Sequence, residues 1–371
     1  MVDRPCRPAA PLTSFVDGAD EDGPAGAFVR AGIADRSLRR VEHTEAGTLG
    51  VLRLGFRCNQ RCAMCFQGRS WPDPPAELVR TWLDELGAAG VDMLMLTGGE
   101  PTVFPELPEL IERASQRYGM EVHLQTNGVM LADAEYLAML VEAGLAVVSV
   151  AFHSADPAAS DELTGSAGGH ERTVRGIENA LGANLLVLLV ACVEDATVGG
   201  LEQYAEFVVR ELVRPFSDNS VARVEFLQPG GYYDEERMAR TMTPLDRVAA
   251  PMVAAARLLR DAEVDLEIGG ACGFPQCVFH EAPDLVPWRH RGEPDRRGVY
   301  WRDYDDTCGR CAAAGYCLGL REEYRRIHGA AGVLPYDALP QAAAAADRSI
   351  ERLRRRADAL RARRQGRRPL R

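Results

Sequence analysis

The sequence predicts an α/β fold: a partial (β/α)6 TIM-like barrel, then a small cysteine-rich, metal-stabilised domain and a C-terminal helix. Three observations carry that prediction. Short apolar, β-branched runs alternate with helix-like stretches, residues suited to chemistry fall at the ends of those runs, and the composition changes after the sixth run.

The runs occupy 50–56, 91–97, 120–125, 146–152, 185–193 and 221–227. Between them, 76–89, 105–118, 133–143, 171–182 and 200–213 carry apolar residues at three- and four-residue steps, as in Leu137, Leu140, Val141 and Leu145. Six strands alternating with five helices imply right-handed βαβ units and a parallel sheet. The near-continuous apolar run 185–193 suits a sheet covered by helices, its other face lining a site. A partial barrel is the simplest closure, although an open doubly wound sheet gives the same pattern. The Pro-, Gly-, Ala- and Asp-rich residues 1–47 are expected to be a flexible extension. The barrel is assigned to 48–235 and the cysteine-rich domain to 236–335, opening on a helix at 244–262. Residues 336–371 are expected to form an Ala/Arg-rich helix.

The 371 residues are 46% hydrophobic, enough for one large domain with an appendage. No apolar run has the length of a membrane span, and the N-terminus lacks the apolar segment of a secretory signal. The expected location is the cytoplasm. There, ten cysteines point to metal ligands or catalytic groups rather than disulfides. All 43 basic residues are arginine, so a Schiff-base lysine is excluded. Residues 348–371 hold eleven arginines against Glu351 and Asp358, a balance of +9, which leaves −20 on the remainder. That acidic body argues against a nucleic-acid partner. The tail fits either an anionic partner or a solvated helix end.

Cys58, Cys62 and Cys65 present three thiols on one short loop after the first strand. Three thiolates can hold three irons of a cubane and leave the fourth iron open. A structural zinc site would want a fourth ligand from elsewhere. Gly98, Gly99 and Glu100 follow the second strand. The glycines allow close backbone approach to a ligand, and the carboxylate can accept from an ammonium. Asn127 lies in a QTNG turn after the third strand, and His153 and Ser154 follow the fourth. Cys192, near the end of the fifth, is either a buried structural cysteine or a hydrogen-atom donor to a substrate radical. His153 is a candidate proton acceptor, and Arg172 or Arg175 could fork a carboxylate. Tyr232 and Tyr233 either line the substrate side or are surface aromatics. Further on stand Cys272 and Cys277, then Cys308, Cys311 and Cys317 in a CxxCxxxxxC array. Four of these five complete one closed cluster. Cys277, in the apolar stretch PQCVF, is favoured and Cys272 is the spare, though the two could be exchanged. Zinc is the alternative occupant.

The CxxxCxxC loop, the GGE turn and the order of the strand-end motifs resemble the radical S-adenosylmethionine (SAM) superfamily over roughly 48–335. The resemblance implies a SAM-binding 4Fe–4S cluster on Cys58, Cys62 and Cys65. It also implies SAM contacts at Gly98, Gly99, Glu100, Asn127 and Ser154, with Met64 in the place of an aromatic residue that packs near adenine. The second array is similar to SPASM or twitch domains, which hold auxiliary clusters, but a full SPASM domain has seven cysteines where this chain has five. The implied activity is reductive cleavage of SAM to a 5′-deoxyadenosyl radical that removes a substrate hydrogen, fed by a flavodoxin- or ferredoxin-like reductant. The implied substrate is a ribosomally made peptide, oxidised, cross-linked or epimerised, with a possible separate leader-binding protein. A small-molecule natural product is the alternative, and a non-catalytic zinc or iron–sulfur scaffold is the alternative of another class.

Overall fold

The computed structural model describes residues 38–44, 47–65, 72–216, 219–230, 235–268, 272–288, 302–303, 305–344 and 349–366. Cys6, Tyr232 and Tyr233 lie outside that set. An eight-stranded sheet runs in strict sequence order, β1 Arg39–Thr44, β2 Gly47–Arg53, β3 Met93–Thr97, β4 Glu121–Thr126, β5 Leu145–Ala151, β6 Leu186–Cys192, β7 Arg223–Leu227 and β8 Asp265–Glu267. The first pair is antiparallel and every later pair is parallel. β1 and β8 are free edges, so the barrel is partial rather than closed.

The order follows from crossover helices that return each strand to the same direction. These are α1 Ala76–Ala88, α2 Leu107–Glu112, α3 Ala134–Ala143, α4 Pro157–Thr164, α5 Gly169–Gly182, α6 Leu201–Phe207, α7 Glu235–Thr241 and α8 Leu245–Asp261. α1 buries Val79, Trp82, Leu83 and Leu86, a stripe at three- and four-residue steps. Burying each such side chain contributes about 1.5–3 kcal/mol. α3 starts where Asp133 accepts from the Glu135 and Tyr136 amides and stops at Gly144, whose φ of 114° ends it.

Three elements depart from expectation. β1 lies inside the stretch expected to be flexible. Its sequence, RRVEHT, is mostly charged and polar, as suits an edge strand, and so shows no apolar run. β8 is only three residues long and carries acids at both ends, yet it extends the sheet beyond the barrel limit expected at 235. α4 was readable only from its start, where Asp156 caps the helix and Pro157 opens it.

Beyond β8, β9 Arg302–Asp303 pairs with β10 Leu320–Arg321, followed by α9 Glu322–His328. Phe274, Val278, Phe279, Tyr324 and Tyr336 of this region share one continuous core with the barrel. The Arg-rich α10, Ser349–Gly366, lies across the N-terminal ends of the strands, opposite the motif-bearing ends. Its Leu353, Ala357 and Leu360 pack on Ala146, Val147, Leu186 and Ala222. Arg361 pairs with Glu121, Arg352 with Asp265 at 2.5 Å, and Arg356 donates to Ser220 Oγ at 2.9 Å. The tail is therefore neither a solvated helix end nor wholly free for a partner. The acidic edge of the sheet supplies part of its counter-charge.

Candidate active site

The loop from Leu54 to Cys65 leaves β2 and is fixed from both sides. On one side Leu54 N donates to Thr97 O, Gly99 N to Gly55 O and Glu100 N to Arg57 O, each at 2.8 Å. Asp73 Oδ1 accepts from the Phe56 and Arg57 amides at 2.5 and 3.2 Å. On the other side Arg61 N and Ala63 N donate to Thr164 O and Leu163 O at the end of α4. Cys58 is exposed while Cys62 and Cys65 are half-buried, and all three are free thiols. Cys58 Sγ accepts from Gln60 N at 3.3 Å. Met64 points into the main core. Three thiols on a pinned but open loop suit a cluster with one iron left for an external ligand.

The GGE turn braces the cysteine loop and the neighbouring strand end. A Cβ on Gly99 would lie 2.2 Å from Arg57 O, and one on Gly98 would lie 2.9 Å from Gly55 O. The glycines let the cysteine loop pack closely against the end of β3. Glu100 is 3% exposed. Its Oε1 accepts from Thr102 N at 3.0 Å and from the Thr102 and Thr126 hydroxyls at 2.7 Å, while Oε2 accepts from Asn127 N at 2.7 Å. A carboxylate has about four acceptor positions; Oε1 takes three of these donors and Oε2 one, which leaves a position on Oε2 for a further donor. Glu100 ties the ends of β3 and β4 together. Burial pushes its pKa up against the pull of those hydrogen bonds.

Asn127 does come to the cysteine loop. Its Nδ2 lies 2.6 Å from Asn59 Oδ1 and 4.0 Å from Cys58 Sγ, and its Oδ1 accepts from Val129 N at 3.0 Å. Ser154 Oγ accepts from Asp156 N at 3.1 Å, which leaves its hydroxyl proton to donate. Arg172 and Arg175 are exposed on α5, where Arg175 pairs with Glu171 at 3.1 Å and Arg172 Nε donates to Gly168 O at 3.3 Å. Both are satisfied locally.

His153 Nδ1 accepts from Cys192 N at 3.1 Å. Burial lowers its pKa to about 4, so the ring is neutral and its proton sits on Nε2. The expected proton acceptor is therefore a donor at its remaining nitrogen. Cys192, at the end of β6, lies where the charges of Glu194, Arg321 and Cys62 reach it, and burial raises its pKa so that it stays a thiol.

The second array converges as well. Cys277, Cys308, Cys311 and Cys317 line one pocket together with Pro275, Val333, Leu334 and Tyr336. Tyr336 N donates to Cys311 Sγ and Gly319 N to Cys317 Sγ, both at 3.3 Å. Burial pushes the Cys277 thiol up to about 12 and the Cys308 thiol to about 11, each further raised by the neighbouring sulfurs. Four thiols facing one apolar pocket supply the donors of a closed metal group, which would hold them as thiolates. Cys272 is in a disulfide and is not one of these free thiols, which leaves it outside the set. Among the described residues, no three His, Cys, Asp or Glu side chains converge closely enough for a single metal ion.

Sequence reasoning missed Arg53, Asp73, Arg321 and Tyr336. Arg53 on β2 is 9% exposed and its Nη1 donates to Gly98 O at 3.1 Å. Arg321 is 1% exposed and lies flat against Gly230, where a Cβ would be 2.2 Å from its guanidinium. An arginine at a strand end usually reads as surface, and nothing in the local pattern marks these as buried.

Residues 52–208 match the radical SAM superfamily. GTP 3′,8-cyclase of Synechococcus elongatus is 31% identical over 213 residues, 52% of this chain and 64% of that protein. PqqA peptide cyclase of Rhodopseudomonas palustris is 36% identical over 126 residues, a third of each chain. The chain thus spans between about a third and two thirds of these relatives. Among solved structures, Streptococcus suis SuiB bound to precursor peptide SuiA aligns over 73% of this chain and 60% of its own, with a TM-score of 0.49 and 14% identity. Radical SAM enzymes bind a 4Fe–4S cluster and SAM, and the open three-thiol loop has the donors for such a cluster. Residues 52–208, which carry that loop and the strand ends bracing it, are therefore a radical SAM domain.

Proposed function

We propose that the chain is a radical SAM enzyme that modifies a ribosomally made peptide by oxidation, cross-linking or epimerisation. The observation that carries it is the three-thiol loop held against the GGE and TNG strand ends. On this reading Cys58, Cys62 and Cys65 hold the SAM-binding cluster, and Cys277, Cys308, Cys311 and Cys317 hold a second, closed one. Bound there, cluster and SAM supply a 5′-deoxyadenosyl radical that removes a hydrogen atom from the substrate.

The chain's own residues then divide the remaining work. Glu100 and Gly99 keep the loop in register with the sheet, and Ser154 offers a hydroxyl donor at the mouth. Asn127 steadies the loop at Asn59. Cys192, retained as a thiol, returns a hydrogen atom to a carbon radical in an epimerisation, and an external one-electron reductant with a proton restores it. The PqqA peptide cyclase relative supports a peptide substrate. The GTP 3′,8-cyclase relative, matched over more of the chain, favours a small-molecule substrate as the second reading.

The test is anaerobic reconstitution with metal counting. The proposal expects about eight irons per chain from two cubanes, with 5′-deoxyadenosine formed only when a low-potential reductant is present. Stoichiometric zinc with no SAM cleavage would instead mark a scaffold. Incubation with short peptides encoded beside the gene, followed by mass analysis, separates peptide from small-molecule substrates.

A further inference from the structure

Buried arginines are costly and need a reason. Arg53 is the last residue of β2 and stands directly below the loop that carries the first three cysteines. It is nine-tenths buried. Its guanidinium reaches two parts of the site at once. Nη1 donates to the carbonyl of Gly98, the first glycine of the GGE turn, at 3.1 Å. The same group lies 5.5 Å from the ring centre of Phe56, two residues before Cys58. Gly98 in turn abuts Gly55, so the cation sits where the GG turn and the cysteine loop meet. Burial lowers the guanidinium's pKa to about 10, with the neighbouring Arg40 acting in the same direction and Cys65 opposing it.

We propose that Arg53 is a positioning residue whose fixed positive charge raises the reduction potential of a cluster held by Cys58, Cys62 and Cys65. The inference rests on the proposed cluster assignment. Adding an electron makes the cluster more negative, and a nearby buried cation stabilises that form more than the oxidised one. Low local dielectric strengthens the effect compared with a surface charge. Net charge, hydrogen bonds and solvent exposure are the means by which a protein sets such potentials. Cys58 is exposed, so water screens the charge on that side of the loop, while the buried side where Arg53 sits is screened less. The guanidinium stays charged throughout the working pH range. Among the described residues, the second cysteine pocket is lined without such a cation, and two backbone amides bond its sulfurs instead.

The experiment is a redox titration of reconstituted full-length protein, followed by electron paramagnetic resonance. The signal that changes on adding SAM belongs to the open cluster. Arg53→Gln keeps a donor for Gly98 O but removes the charge, whereas Arg53→Lys keeps the charge. For Arg53→Gln the expected result is about a tenfold lower ratio of reduced to oxidised open cluster at a fixed potential, equal to about 59 mV for one electron. Arg53→Lys should stay near wild type, and the second cluster should not move. If Arg53→Gln loses the open cluster while Arg53→Lys holds it at the wild-type potential, the charge requirement stands. An unchanged potential in Arg53→Gln overturns the proposal, as does loss of the cluster from both variants, which would make Arg53 a structural brace only. Wild-type protein with no SAM-sensitive signal would instead defeat the cluster assignment beneath it.

Discussion

The two cysteine sites of this molecule use the same ligand type in opposite settings. The first has three thiols within eight residues on an exposed loop, surrounded by Asn59, Gln60 and Asn127. The second gathers four thiols from positions 277 to 317 into an apolar pocket walled by Tyr336, Val333 and Leu334. Around the second, aromatic rings stack and interlock, with His280 on Tyr336 at 4.7 Å and Trp288 edge-on to Tyr336 at 5.6 Å. A loop of three ligands leaves a coordination position open to an outside molecule. A pocket of four closes the group off. On the proposed assignment, the first is the site for chemistry and the second staples the fold or passes an electron.

The comparison can be broken most severely at the ligands. Cys62→Ala should abolish 5′-deoxyadenosine formation, while Cys308→Ala should lose about four irons and retain SAM cleavage. Iron assays with product chromatography check both. The next largest effect is at the brace. Gly99→Ala places a methyl 2.2 Å from Arg57 O, an overpacking expected to cost about 1–3 kcal/mol or more. Iron should be lost from the open site first, with a lower denaturation midpoint. Glu100→Ala strands four buried donors, at about 1–3 kcal/mol for each group left unsatisfied. Glu100→Gln should recover part of that loss in the same melt.

A smaller effect is pH-dependent. The His153 pKa is lowered to about 4 by burial, against an ordinary value near 6.5. The unfolded chain therefore takes up the proton first as acid is added. The associated stability is complete above about pH 6.5 and is lost as pH falls toward 4. His153→Gln should flatten that part of the melting-temperature profile between pH 7 and 5. The smallest effect is expected at α10, where Arg361→Ala removes a partly exposed pair with Glu121 worth about 0.2–1 kcal/mol. That loss should shrink further at high salt.

Much of the barrel was legible because its parallel strands are long, apolar and separated by helices of strong periodicity. The sheet edges were not, because β1 is charged and β8 is three residues long, so neither carries a period. Cys58, Cys62 and Cys65 were singled out by their spacing together with the order of the strand-end motifs that follow, and the loop that carries them is local. The partnership of Cys277 with Cys308, Cys311 and Cys317 depends on the fold of the intervening chain; the CxxCxxxxxC spacing and the apolar PQCVF context pointed to it but left Cys272 as an exchangeable alternative. The bracing role of GGE was not legible, because its crowding against Phe56 and Arg57 is a tertiary contact that a three-residue motif does not show. Arg53 and Arg321 escaped notice because burial of an arginine is decided by what packs over it.

On the proposed assignment the three-thiol loop, and not the four-thiol pocket, engages SAM. The most direct measurement is electron paramagnetic resonance of reduced, reconstituted protein with and without SAM, in wild type, Cys62→Ala and Cys308→Ala. The account predicts a SAM-perturbed signal that vanishes in Cys62→Ala and survives in Cys308→Ala. A SAM-sensitive signal that persists without Cys62 would contradict it.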